Sequence, residues 1–462
     1  MSTPPDTQER NRYVSGMRRG LDVAADLAAE EPGPPGWPHH EPSFGPRETR
    51  PVWARRPTRS VGDALDAGWL VTRAAPGSTT GAHPTQAGPL AGLSVAVKDI
   101  IDVAGLPTRN GTPGGLWREP TESAKAWHRL AEAGADCIGK AATHEMAWGV
   151  TTPQIAHPTH PDHITGGSSG GSAACVAAGV SHAALGTDTN GSVRIPAALC
   201  GIVGFRPTTG STELSGITPL APEQDVVGPM TADVATCVAM LEVLLDRSLR
   251  PDHVETLSGL RIGVLERTGR LDPAVAQAYL DTLAALEREG AEVIVCDTPL
   301  PRQSDHISLV AMLISSAALH AGAVHADPTS FGDRVRAPLT VGEDLTTADA
   351  STVDRARDTL TVRTARLFNE KRLDAFLTPT TPCPAPLRGA DTVQIADKEY
   401  SVSDALTRFM AWASVACMPA VSVPVPVHGL PVGMQVMAPA HREDTCIRVA
   451  LSIEQLTRRK SL

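Results

Sequence analysis

Short apolar runs and longer amphipathic segments alternate along most of the chain. The run 93–97 is apolar with a β-branched bias and is bounded by Gly92 and Asp99, which is typical of a buried strand. Later patterns predict helices at 123–133 and 272–289 and strands at 135–139, 260–265 and 292–296. This alternation predicts an α/β fold with a large mixed β-sheet core flanked by α-helices.

Proline-rich sequence sets residues 1–88 apart from the rest of the chain. Residues 11–30 and 61–70 are compatible with helices, but the prolines and glycines at 31–36 break the first of them. We therefore predict a divergent, partly helical N-terminal arm over 1–88 and a main domain over 89–462 that carries the candidate chemistry. The arm is expected to pack on the core and not to act as a separate unit.

Composition narrows the class of protein. The 42% apolar and 20% charged content of the 462 residues is that of an ordinary globular protein, and the net charge of −10 argues against nucleic acid or an anionic membrane as a main partner. The longest apolar stretches look far too short to span a membrane, and the first residues lack an apolar signal core. We therefore expect a cytoplasmic protein.

Neither the cysteines nor the histidines form a convincing metal site. The eight cysteines are scattered without C-x-x-C spacing and are expected to be reduced core residues. His157, His160 and His163 lie close together, but the intervening prolines prevent a helix that would aim them at one ion. We expect a polar loop there, and no metal or other cofactor.

Three segments carry the candidate chemistry. Lys98 ends the predicted strand, Ser168 lies in the glycine-rich loop 166–172, and Ser192 lies in a second loop, 186–194. A serine hydroxyl needs a base to become a nucleophile, and a desolvated lysine supplies one if its pKa falls by about 2–3 units from about 10.4. Backbone N–H groups in a glycine-rich turn can then hold the oxyanion that forms.

Two other interpretations of the first loop are weaker. A phosphate-binding P-loop would end in Gly-Lys-Ser/Thr, which residues 171–173 do not provide. Residues 166–170 formally match G-x-S-x-G, the nucleophile elbow of α/β-hydrolases. That elbow requires an acidic residue and then a histidine later in the chain, and the later histidines sit in no telling motif.

Together, Lys98 and the two serine loops resemble the amidase signature family of Ser–Ser–Lys amidohydrolases, over about 90–451. The resemblance implies that Ser192 is the nucleophile and that Ser168, after a cis peptide bond from Gly167, relays the proton to Lys98. It implies that Ser169 supports Lys98 by a hydrogen bond. The function it implies is hydrolysis of a small-molecule carboxamide to a carboxylate plus ammonia or an amine.

The same resemblance assigns roles around Ser192. Asp188 and Arg194 match the charged pair that braces the nucleophile loop. The oxyanion hole would use the N–H group of Ser192 and those of the three residues before it: Thr189, Asn190 and Gly191. Asn190 stands where the family most often has glycine, and asparagine tolerates positive φ well enough for the loop to form.

Substrate identity stays open at this level. Residues 188–192 resemble the carboxybiuret hydrolase branch, whereas 204–208 resemble indoleacetamide and mandelamide hydrolases. The alternatives are a ureido- or biuret-type amidohydrolase and an amidotransferase subunit that releases ammonia for a partner enzyme. A homodimer is also left open. The candidate pocket residues are Met146, Trp148, Gly149 and Trp412.

Overall fold

One large sheet organises the chain. The computed structural model describes residues 5–38, 58–75, 88–114, 116–249 and 257–460. The described strands are β1 Leu70–Arg73, β2 Ser94–Lys98, β3 Asp136–Ala141, β4 Ala183–Asp188, β5 Val203–Arg206, β6 Val226–Thr231, β7 Arg261–Leu265, β8 Glu292–Cys296, β9 Ala375–Pro379, β10 Thr392–Ile395, β11 Lys398–Ser401, β12 Ala420–Val425 and β13 Val432–Met437.

The helices surround this sheet. They are α1 Pro5–Ala28, α2 Val61–Asp66, α3 Lys125–Glu132, α4 Gly170–Ala177, α5 Arg194–Cys200, α6 Val234–Leu245, α7 Pro273–Arg288, α8 Leu300–Ala326, α9 Asp333–Glu343, α10 Thr347–Lys371, α11 Val402–Thr407, α12 Ala411–Val415 and α13 Glu443–Lys460. Two 3₁₀ turns, Glu145–Ala147 and Pro328–Ser330, complete the described elements.

The main sheet is mixed, as the sequence predicts. Its 11 strands run in the order β1-β3-β2-β4-β6-β5-β12-β13-β9-β7-β8, and β10 and β11 form a separate hairpin. β2 pairs in parallel with both β3 and β4, and β7 pairs in parallel with β8 and β9, whereas the strands between these groups pair antiparallel. Because parallel strands end at the same edge of a sheet, Lys98 at the end of β2 and Asp188 at the end of β4 lie at one edge.

The predicted elements agree closely with the observed ones where the apolar pattern is strong. The strand predicted at 292–296 is β8, and the helix predicted at 272–289 is α7, which begins at Pro273 after Asp272 accepts a hydrogen bond from the Ala274 N–H. The helix predicted at 61–70 is too long. α2 ends at Asp66 because Gly68 takes a φ of +70° and β1 begins at Leu70.

One sequence expectation about apolar stretches is wrong. Among the described residues one helix, α8, is long and apolar enough to span a membrane by length and composition. Of its apolar segment, 56% is buried inside the protein, where Ser308 donates a hydrogen bond to Gln224 (2.7 Å) and His320 Nε2 lies 2.8 Å from the Pro219 carbonyl oxygen. The buried apolar residues of α8 therefore pack in the core of this fold.

The N-terminal arm is joined to the core in two places. α1 packs against α8, α9 and α10, and β1 pairs antiparallel with β3 as the edge strand of the main sheet. Helix α1 approaches α8 closely because Gly20 has no side chain: a Cβ there would lie 2.2 Å from Val310 Cγ2. Residues 39–57 and 76–87 of the predicted arm lie outside the described residues, and the boundary at 88 stays a prediction.

This contact gives a stability prediction with a matched control. Gly20→Ala should lower the unfolding free energy by about 1–3 kcal/mol, because the added methyl overpacks the α1–α8 contact. Gly322→Ala, in α8 with no atom within 4 Å of its would-be Cβ, should instead raise it by about 0.5–1 kcal/mol through helix propensity. Urea unfolding of both variants checks the pair, and a stabilised Gly20→Ala would contradict the close approach.

Candidate active site

Lys98 is buried at the end of β2 with its charge unpaired. Its side chain has no exposed surface, and its Nζ lies 2.7 Å from the Ser168 hydroxyl oxygen and 2.7 Å from the Thr187 hydroxyl oxygen. Among the described residues it forms no ion pair with a carboxylate within 4.0 Å. Burial lowers the pKa of Lys98 to about 7, although the charges of Asp225 and Asp188 act in the opposite direction.

A second buried lysine on the next strand has a different environment. Lys140 on β3 is also fully buried, but its Nζ lies 3.2 Å from the Asp99 carboxylate and 2.8 Å from the Thr108 hydroxyl. An ammonium with a carboxylate beside it keeps its proton more readily than one among hydroxyls. The two adjacent lysines therefore differ in the partner available to the charged form, and Lys98 is the one suited to act as a base.

The glycine-rich loop presents Ser168 to Lys98. Ser168 is fully buried and follows a cis peptide bond from Gly167, as the resemblance implies. Ser169 does not contact Lys98 directly, contrary to expectation: its hydroxyl donates to the Thr187 carbonyl (3.2 Å) and accepts from the Thr187 N–H (3.4 Å). Ser169 thus holds the backbone of Thr187, whose own hydroxyl is the second partner of Lys98.

The second loop brings Ser192 to the wall of a cavity. Ser192, Thr189 and Asn190 all line this cavity, which has a volume of about 310 Å³. The Gly191 N–H points elsewhere, since it donates to Asp188 Oδ1 at 2.8 Å. The expectation that Gly191 supplies an oxyanion-hole donor is therefore not met, and the N–H groups of Thr189, Asn190 and Ser192 remain as candidates.

The turn does not require asparagine's tolerance of positive φ. The positive φ, +97°, falls at Gly191, and Asn190 is not among the residues with positive φ. A Cβ at Gly191 would lie 2.4 Å from Met410 Cγ, so this position excludes any side chain. Asn190 instead has a buried Oδ1 without a hydrogen-bond partner among the described residues, beside the cavity.

Asp188 is the centre of a buried ionic network that holds the loop. It accepts from the Gly191 and Val193 N–H groups and pairs with the guanidinium groups of Arg194 (2.9 Å) and Arg206 (3.1 Å). Burial alone would raise the pKa of Asp188, but the two arginines and these hydrogen bonds hold it well below its ordinary value. Asp188 therefore stays ionised and fixes the turn that carries Ser192.

Arg194 extends this network to distant parts of the chain. Its guanidinium also donates to the Met410 carbonyl (3.1 Å), the Gln435 side-chain oxygen (2.7 Å) and the Ser414 hydroxyl (3.3 Å). These partners lie before α12, on β13 and within α12. The bracing role expected for Asp188 and Arg194 thus joins the Ser192 loop to C-terminal elements, a reach that sequence analysis did not indicate.

Asp225 is a site residue that sequence analysis missed. Its carboxylate accepts from the Thr189 hydroxyl and from the Leu220 (2.8 Å) and Ala221 (3.1 Å) N–H groups, and burial raises its pKa. Asp225 therefore holds Thr189 beside Ser192 and contributes a negative charge near Lys98. No motif marks it, and its role depends on the antiparallel pairing of β4 with β6.

Of the four predicted pocket residues, two line the cavity. Trp148 and Gly149 do so, together with Tyr13 of α1, whose hydroxyl accepts a hydrogen bond from Trp148 Nε1 at 2.8 Å. Trp412 does not: it packs against Phe376 with ring centroids 4.8 Å apart, inside a core cluster.

Met146 is likewise buried in the core and is not a wall residue. Large apolar residues near a motif are as well suited to a core as to a pocket. Both Met146 and Trp412 pack in the core.

The histidine loop is accounted for by its own hydrogen bonds. His157 Nε2 lies 3.0 Å from the Leu199 carbonyl oxygen, and its Nδ1 accepts from the N–H groups of Thr159 (3.3 Å) and His160 (3.2 Å). Both ring nitrogens are therefore occupied, and burial lowers the pKa of His157 to about 4. Within the part of the chain that the structure describes, no group of three or more His, Cys, Asp or Glu residues is placed to hold a metal ion.

Comparison with known proteins now identifies the family. The sequence model of the Amidase family matches residues 69–447, which is most of the chain. The chain belongs to the amidase family. It is a hydrolase that acts on carbon–nitrogen bonds other than peptide bonds, and its 11-stranded mixed sheet is the fold expected of that family.

Individual relatives agree with this assignment. An amidase of Pseudomonas putida is 34% identical over 367 residues, covering 74% of this chain and 78% of that relative. A mandelamide hydrolase of Pseudomonas putida is 32% identical (80% and 79% covered), and a glutamyl-tRNA(Gln) amidotransferase subunit from Synechococcus sp. (strain RCC307) is 31% identical (80% and 84%). A crystal structure of an amidase superposes with a TM-score of 0.78 at 31% identity, covering 87% of this chain and 96% of that one.

The ionic network of this amidase gives a second stability prediction. Arg194→Met should lower the unfolding free energy by about 3–5 kcal/mol, because it removes one partner of a fully buried charge pair. Arg334→Met is the control, since Arg334 forms a solvent-exposed pair with Asp391, where loss of a pair has little effect. Urea unfolding measures both, and equal midpoints for the two variants would show that the network does not stabilise the loop.

Proposed function

We propose that this amidase hydrolyses a small-molecule carboxamide through an acyl-enzyme on Ser192, with Ser168 as the proton relay and Lys98 as the base. One observation carries the proposal: Lys98 is fully buried, contacts the Ser168 and Thr187 hydroxyls at 2.7 Å, and has a pKa lowered to about 7. A neutral amine in that position has a lone pair that accepts a proton.

The proposed reaction forms an ester on Ser192 and then hydrolyses it. The Ser192 oxygen attacks the amide carbon while its proton passes to the Ser168 oxygen and the Ser168 proton passes to the Lys98 amine. N–H groups of the turn, from among Thr189, Asn190 and Ser192, stabilise the oxyanion. The leaving nitrogen then takes the proton back through Ser168 and departs as ammonia or an amine. Water then attacks the acyl carbon and gives a proton to Lys98 through Ser168. That proton returns through Ser168 to the Ser192 oxygen as the ester bond breaks, and the released carboxylic acid ionises to the carboxylate.

The surroundings of the triad suit this cycle. Ser192 is the triad member that borders the cavity, whereas Ser168 and Lys98 have no exposed surface. Substrate therefore meets the nucleophile first, and the relay and base stay desolvated behind it. The Asp188 network and the Asp225–Thr189 hydrogen bond fix the turn independently of Lys98, so a change in the charge of Lys98 during the cycle need not move Ser192.

The amidotransferase relatives make an ammonia-supplying subunit of a larger complex the second candidate. A free-standing hydrolase is favoured because relatives named as an amidase and a mandelamide hydrolase match this chain at 34% and 32% identity. Glutamine turnover with and without cell extract separates the two candidates. We further propose that the enzyme acts in the cytoplasm, since all eight cysteines are free, which is typical of a reducing compartment.

Labelling of Ser192 tests the nucleophile. An alkyl fluorophosphonate should modify Ser192 stoichiometrically, and Ser192→Ala should lose labelling and at least about 10³-fold in kcat, because no acyl-enzyme can form. Ser403 also lines the cavity, so Ser403→Ala is the matched control and should label at the normal rate. Mass spectrometry of the labelled peptides identifies the site, and persistent labelling in Ser192→Ala would remove Ser192 from the role.

The pH dependence of turnover tests the base. The ammonium form of Lys98 cannot accept a proton, so kcat/KM should rise about tenfold per pH unit below pH 7 and level off above it, given a pKa of about 7. Lys98→Arg keeps the charge but cannot release its proton, and it should lose most turnover together with the ascending limb. If Lys98→Arg kept both, the base would have to lie elsewhere.

A further inference from the structure

We infer that helix α1 is a wall of the substrate cavity and that Tyr13 on it limits the size of the amide this enzyme accepts. The inference builds on the proposed function, because it concerns the cavity in front of Ser192. Four residues of α1 line that cavity: Arg12, Tyr13, Gly16 and Arg19. The family match begins at residue 69, so α1 lies outside the matched segment.

Tyr13 is held in the cavity wall by its contacts with Trp148. Its hydroxyl accepts from Trp148 Nε1 at 2.8 Å, and the two rings meet edge to face with centroids 6.0 Å apart. Trp148 is only 6% exposed, so this hydrogen bond satisfies a donor that would otherwise be buried and unpaired. The pair therefore forms a rigid aromatic barrier across one side of the cavity.

The position of α1 is set from both sides of Tyr13. Toward its carboxyl end, Gly16 and Gly20 allow close approach to α8, where added Cβ atoms would lie 2.5 Å from Leu309 Cδ2 and 2.2 Å from Val310 Cγ2. On the other side, Arg12 pairs with Asp404 of α11 at 3.2 Å, and both residues border the cavity. α1 is thus held chiefly by its close contact with α8, since an exposed ion pair adds little, and Tyr13 has little freedom to move out of the way.

The small volume of the cavity is consistent with the exclusion of bulky substrates. A cavity of about 310 Å³ is at the lower end of the range of about 300–1,000 Å³ for ligand pockets, and it includes the space next to Ser192. Removing the Tyr13 ring enlarges the cavity on its α1 side. Amides with small acyl groups should therefore be accepted by the native enzyme, and fused-ring acyl groups should be excluded chiefly by Tyr13.

The test compares binding of propionamide and 2-naphthamide by ligand-observed NMR titration in a Ser192→Ala background, where hydrolysis does not interfere. Tyr13→Ala should raise the affinity for 2-naphthamide relative to propionamide at least about tenfold. Tyr13→Phe keeps the ring and should leave the ratio within about twofold. Tyr400→Ala, a tyrosine on β11 that does not line the cavity, is the matched control and should also leave the ratio unchanged.

Thermal unfolding and ammonia release are measured as well, to separate a folding defect and a lack of activity from a change in binding. If thermal unfolding shows that Tyr13→Ala does not fold, Tyr13→Leu replaces it, with a smaller gain in the same direction. An unchanged affinity ratio in the folded variant overturns the inference, as does an equal gain in Tyr400→Ala. Ammonia release by the chain with native Ser192 is measured separately: no turnover of either amide counts against the proposed function, whereas a shifted binding ratio still supports the wall.

Discussion

Burial of Lys98 among hydroxyl groups, with no carboxylate of the described residues within 4.0 Å, is the constraint on which the site depends. Lowering a lysine pKa from 10.5 to about 7 corresponds to on the order of 5 kcal/mol against the charged form. The fold supplies that energy by placing Lys98 at the end of a central parallel strand, with β3 and β4 on either side. The neighbouring Lys140 is buried to the same extent, but its ammonium group pairs with the Asp99 carboxylate. The two lysines therefore differ in their charged partners and not in their burial.

The loop that carries Ser192 is held by a different kind of interaction. Asp188 is as deeply buried as Lys98, but two guanidinium groups and two N–H groups surround its carboxylate. A buried charge with this many partners is strongly coupled to its surroundings and resists displacement. The site thus combines Lys98, the proposed base, with a carboxylate, Asp188, that its partners keep ionised, and the two lie at the ends of adjacent strands.

The sequence indicates the segments that the structure brings together around Lys98, but it does not indicate the residues that surround them. The sheet, the strand that ends at Lys98 and both serine loops could be predicted because apolar periodicity and glycine-rich turns are local signals. Asp225, Arg206 and Tyr13 act through contacts across 36, 18 and 135 positions of sequence. Such partners depend on sheet pairing and helix packing, and no local pattern marks them. The same limit applied to Trp412 and Met146, where the core competes with the pocket for large apolar residues.

The Gly191 N–H shows why a motif alone does not say which backbone donors face a cavity. The motif identifies the turn, but whether a given N–H faces substrate depends on which acceptor lies closer. Here Asp188, three residues earlier, takes the Gly191 donor at 2.8 Å, and the close contact with Met410 prevents the turn from rotating around a larger residue. The bond that fixes the loop thus costs the site one potential oxyanion donor. A hydrogen bond that makes the turn rigid also occupies one of its backbone N–H groups. In this chain the ionised Asp188 occupies the Gly191 N–H, so the turn is rigid and has one fewer free N–H donor.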